Sequence, residues 1–85
     1  MDALLPEYQA VLSAYVSGGD ESALELAYDL GKRFLDEGSR ISELMRMHHA
    51  ALTTVLVKVP PARMKEALAD AAAVQAELLA HLDGA

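Results

Sequence analysis

The feature that most limits what this chain can fold into is the spacing of its apolar residues between glycine and proline breaks. Gly18-Gly19, Gly38 and Pro60-Pro61 cut the 85 residues into four pieces. Within each piece the apolar positions recur at three and four residues rather than at two, the pattern of amphipathic helices and not of strands. The expected fold is all-α: a four-helix, bundle-like domain with helices at about 2–17, 21–37, 40–58 and 61–82. Short connections favour antiparallel neighbours. A second domain has no room, because domains usually take roughly 100–200 residues.

On the first helix Leu4, Tyr8, Val11, Leu12 and Tyr15 share one stripe, and Pro6 sits in the first turn, where its missing N–H costs nothing. The second helix begins with a Ser22-x-x-Glu25 capping-box spacing and ends before Gly38, a natural left-handed terminator. On the third, Leu44, His48, Ala51, Leu52 and Val55 form the apolar face, flanked by Ile41, Met45 and Leu56. Pro60-Pro61 ends that helix and starts the next. The alanine-rich fourth helix carries Met64, Leu68, Ala71, Gln75, Leu78 and Leu82 close to every 3.5 residues, a coiled-coil-like seam. Asp83-Gly84-Ala85 offers nothing to pack and reads as a stop or a cut: a free-standing domain or, the favoured expectation, a fragment.

The second helix is apolar over more than one face. Ala23, Leu26, Ala27, Leu30 and Phe34 make one stripe, with Leu24, Tyr28 and Leu35 beside it. Together they span about 200°, against about 100° for an ordinary surface helix. Such a helix either lies at the centre of its domain or contacts a second chain. So wide a face is hard to bury within one small domain, which favours a helical homodimer with this helix as the best candidate for the contact.

Composition removes several classes of function. There is no cysteine, hence no disulfide framework, thiolate catalysis or zinc ribbon. Seven Lys and Arg against 13 Asp and Glu leave a net charge of −6, which disfavours nucleic acid and anionic membranes. No apolar run approaches the roughly 18 residues of a membrane span, and Met1-Asp2 lacks a basic signal start, so a cytoplasmic domain is expected. His48 and His49 point about 100° apart on a helix and have no i,i+4 ligand partner, so no metal and no haem is expected. The serines have no histidine base at a readable spacing, and Gly18-Gly19 is a turn rather than a phosphate loop. The carboxylates fall on polar faces or helix ends. No catalytic residue and no cofactor is expected, and the chain is not read as an enzyme. The candidate contact residues, for a partner or for the dimer, are Leu24, Tyr28, Gly31, Leu35, His48 and His49.

The string Ala27-Tyr28-x-Leu30-Gly31, followed after the Gly38 break by Leu44-x-x-x-His48-x-x-x-Leu52 and preceded by the Tyr8…Tyr15 helix, resembles the N-terminal domain of RsbU-type stress-response serine/threonine phosphatases. The resemblance covers about residues 4–57; beyond that the fourth helix is similar in type rather than in motif. A more distant likeness is to the C-terminal domain of the circadian regulator KaiA. Membership implies an all-α dimeric domain in front of a metal-dependent phosphatase or other output domain, with the family's histidine at His48. It also implies recruitment of an RsbT-type switch kinase, which stimulates that phosphatase in the control of a stress sigma factor. Any metal would belong to the phosphatase domain. A plain dimerisation module and a small-molecule sensor remain the alternative readings.

Overall fold

The computed structural model describes residues 5–81 as four helices: α1 (Leu5–Gly18), α2 (Ser22–Asp36), α3 (Ile41–Leu56) and α4 (Met64–Leu78). A single 3-10 turn, Pro61–Arg63, leads into α4, and among the described residues there is no strand. Leu4 and Leu82, which the sequence places on the first and last stripes, lie outside the described residues.

Each junction has a local cause. Gly38 adopts φ 83°, and the Ser39 N–H reaches the Phe34 carbonyl at 2.9 Å while the Gly38 N–H reaches Leu35 at 3.0 Å. This pair of bonds is a Schellman close, which needs a left-handed residue at that position. At the start of α2 the expected Ser22–Glu25 box is not formed. Instead the Asp20 carboxylate accepts the Ser22 backbone N–H at 3.0 Å and the Ser22 hydroxyl at 2.7 Å. Those two bonds hold the Asp20 carboxyl below the usual carboxylate range. The reciprocal half of a box appears at α3, where the Arg40 N–H donates to Glu43 Oε1 at 2.9 Å.

α1 is the central helix: it packs against α2, α3 and α4, whereas α3 and α4 touch one another little. The wide apolar face had suggested α2 for that place or for a contact between chains. α2 instead leans on α1 and, most extensively, on α4. α1 is suited to the centre because Tyr8, Val11, Leu12 and Val16 are all buried and Leu5 and Tyr15 close the flanks. Its neighbours contribute Ala23, Ala27, Leu30 and Phe34 from α2, Leu44, Met47, Ala51 and Val55 from α3, and Ala67, Ala71, Val74 and Leu78 from α4.

Two stripes turn from their sequence-based positions. On α3, Met47 is buried and Met45 exposed, the reverse of their expected ranking. On α4, Ala67 and Val74 replace Leu68 and Gln75 in the core, a rotation of roughly 50° from the 3.5-residue seam. Both shifts follow from α1 being the shared neighbour: α3 and α4 turn their inner faces towards it and leave Ile41, Met45 and Leu68 outside.

Polar contacts at the rim are light. Arg33 Nη1 pairs with Glu7 Oε1 at 3.1 Å across α2 and α1, with both side chains about half exposed. Such pairs contribute less than about 1 kcal/mol. Glu7→Gln should therefore lower stability by about 0.5 kcal/mol in urea melts at low salt, and by less still in 0.5 M NaCl. Arg63 Nη2 donates to the Val16 carbonyl at 3.3 Å, placing a cation at the negative end of α1.

Candidate functional site

A groove opens between α2 and α4. Its residues on α2 follow one helical face, with Glu21, Glu25 and Asp29 in one row and Leu24 and Tyr28 in the next, and Glu77 from α4 forms the far wall. The groove is open to solvent and holds about 590 Å³. Leu24 is half-buried and packs on the core, while Tyr28 is exposed on 42% of its surface. The Tyr28 ring lies against the imidazole of His81, with centroids 4.0 Å apart and planes inclined at 39°. His81 Nε2 also donates to the Tyr28 carbonyl at 3.2 Å, so the chain just beyond α4 is tied to the middle of α2.

Gly31 explains how α4 comes close enough to form the groove. It is buried directly beneath the Leu78 backbone, and a Cβ there would meet the Leu78 carbonyl oxygen and lie 2.9 Å from its carbon. The absence of a side chain at this position lets the two helices approach where α2 passes Leu78. Gly31 is therefore a packing residue and is not available to a partner. Leu35, one turn further on, is half-buried.

His48 and His49 are not part of this groove. His48 is buried on α3, where its Nδ1 meets the Tyr8 hydroxyl of α1 at 2.5 Å and the two rings stand edge to face. Burial, with a smaller contribution from neighbouring His49, holds the His48 imidazole below its usual pKa, and burial pushes the Tyr8 phenol up. Both shifts favour a neutral pair with the phenol as donor and Nδ1 as acceptor. His49 is exposed. The six candidate residues thus divide into Leu24 and Tyr28 in the groove, Gly31 and His48 inside, Leu35 half-buried and His49 on the outside.

The groove's far wall and His81 were missed in the sequence. Glu77 and His81 are four residues apart on the fourth segment, but nothing local relates them to Tyr28, 53 residues away from His81. Among the described residues no three His, Asp or Glu side chains form a set that would hold a metal ion, and no helix is long and apolar enough to cross a membrane.

The helices, the polar pair at their core and the open groove define a small all-α domain. A family model described as the N-terminal domain of the phosphoserine phosphatase RsbU matches residues 6–85. The chain belongs to this family: it is a regulatory domain of the RsbU type, which is not itself catalytic. The match extends through α4, further than the motifs of the second and third helices alone. No curated protein and no solved structure matches the chain.

Proposed function

We propose that this domain dimerises and recruits an RsbT-type switch kinase to the α2–α4 groove, thereby activating a C-terminal phosphatase or other output domain in cytoplasmic control of a stress sigma factor. The observation that carries the reading is the groove row of half-buried Leu24 and exposed Tyr28 on a domain whose family is regulatory. Tyrosine anchors are over-represented among residues that dominate interfaces. The groove leaves a different surface for the second copy. Ile41, Met45 and Leu68 are 55%, 44% and 48% exposed, and they flank the place where Gln75 meets Met45. This α3–α4 face is the dimer contact in this reading, because the exposed row of α2 is given to the kinase.

Titration of the purified kinase into the full chain, followed by calorimetry, tests the proposal. Tyr28→Ala should weaken binding by about thirtyfold, the scale of a 2 kcal/mol anchor, and Leu24→Ser should add to that loss. Ile41→Glu should leave the groove intact while shifting the protein towards monomer in sedimentation equilibrium. Kinase binding unchanged by both groove variants would refute recruitment at this place.

A further inference from the structure

The carboxylates of the groove are arranged in a way that helix physics alone does not favour. Glu21 and Glu25 are near the N-terminus of α2, where negative charge suits the helix dipole. Asp29 is in the middle of that helix, and Glu77 is in the last turn of α4, the end that favours cations. Like charges at i and i+4, as in Glu21, Glu25 and Asp29, weaken a helix by a few tenths of a kcal/mol per pair. None of the four makes an ion pair among the described residues, where the salt bridges are Arg33–Glu7 and Arg63–Glu66. The floor between them is apolar and aromatic, and the Tyr28 ring already takes a flat nitrogen ring, His81, against it.

We propose that the groove binds an amphipathic, arginine-bearing segment of the partner protein, with a guanidinium against the Tyr28 ring among Glu25, Asp29 and Glu77 and an aliphatic side chain over Leu24. The inference rests on the recruitment reading and adds the chemistry of what is recruited. A guanidinium meets the demands of the site together: it is flat enough to lie on an aromatic ring, and its fork of N–H donors matches carboxylates in pairs. Lysine offers charge without the plane or the fork. The leucine beside the tyrosine requires that the segment be apolar on the same face, so a merely basic tail fills half of the groove.

The test uses the full, isotope-labelled chain and a synthetic helical peptide of alternating leucine and arginine pairs, with lysine and citrulline versions of the same peptide. Amide shifts should concentrate on Leu24, Tyr28 and Glu77. Citrulline, which keeps the shape and loses the charge, should weaken binding by about tenfold or more, and lysine by about threefold. The triple variant Glu25→Gln, Asp29→Asn, Glu77→Gln should lose about tenfold. A control of equal net charge, Asp36→Asn, Glu37→Gln, Asp70→Asn, should lose less than about twofold. Equal binding of the citrulline peptide to the unaltered chain, shifts spread over the whole surface, or equal losses in the two triple variants would overturn the proposal. Kinase binding without preference for the arginine peptide defeats this inference and leaves recruitment standing. Peptide binding in the groove with no kinase binding does the reverse.

Discussion

Gly31→Ala should lower the stability of this domain by about 3 kcal/mol, or about 12–24 °C in melting temperature for a chain of this length. The added methyl meets the backbone of Leu78, not the tip of a side chain that can rotate aside. α4 must therefore retreat from α2 at Leu78. Gly18→Ala is the matched control. Nothing lies within 4 Å of a Cβ at Gly18, which is the last residue of α1 and has no left-handed backbone. That change should be neutral or stabilise by up to about 1 kcal/mol through the lower entropy of the unfolded chain. Thermal melts of both variants by circular dichroism decide the matter. A Gly31→Ala melt equal to that of the unaltered chain would show that α2 and α4 do not approach as closely as described. Retreat of α4 also widens the groove and separates His81 from Tyr28, so under the recruitment proposed above Gly31→Ala should lose more kinase binding than the destabilisation alone explains at temperatures well below the melt.

Tyr8→Phe should cost about 2 kcal/mol at pH 7.5, a large effect for one oxygen atom. The ring volume stays, and the only loss is the donor to His48 Nδ1, which has no other partner and is buried with it. An orphaned buried acceptor costs about 1–3 kcal/mol. The same pair gives the domain a pH dependence whose sign is set. In the fold the His48 imidazole resists protonation because it is buried and beside His49. In the unfolded chain it takes up a proton near its usual pKa of about 6.5. Below that pH the unfolded state binds more protons, so stability falls as the solution is acidified and is fully regained above about pH 7. Urea melts at pH 7.5 and 5.5 should show the unaltered chain losing about 1 kcal/mol more over this interval than His48→Leu does. An identical loss in the two chains would mean that His48 is protonated as easily inside as outside. Asp20 acts in the opposite range: its lowered carboxyl supports the fold above about pH 4 and stops doing so as the pH falls further.

Both predictions concern residues that were visible in the sequence, though for different reasons than the structure gives. His48 stood at the centre of an apolar stripe and its burial follows from that place, but its partner on α1 is 40 residues away. Gly31 belongs to the string that carries the family resemblance and is one of the expected contact residues; in the fold its lack of a side chain makes room for Leu78 of α4. The string Ala27-Tyr28-x-Leu30-Gly31 is divided by the helix it forms, with Ala27, Leu30 and Gly31 turned inward and Tyr28 turned to solvent. A wheel drawn at 100° per residue shows that division only after the neighbours' directions are known.

The sequence by itself determined the four helices and their breaks, since glycine at φ 83° and proline at a helix start are local demands that hold wherever the chain goes. It also determined the membership of the family, because that rests on the order of packing residues. The tertiary structure decided which helix lies at the centre, how far the inner faces of α3 and α4 turn towards it, and that Glu77 and His81 stand opposite Glu25 and Tyr28. Periodicity measures how wide an apolar stripe is, and it carries no information about which other stripe will cover it. That choice belongs to the fit of whole helices, here to the one place where a missing side chain lets α2 and α4 come together.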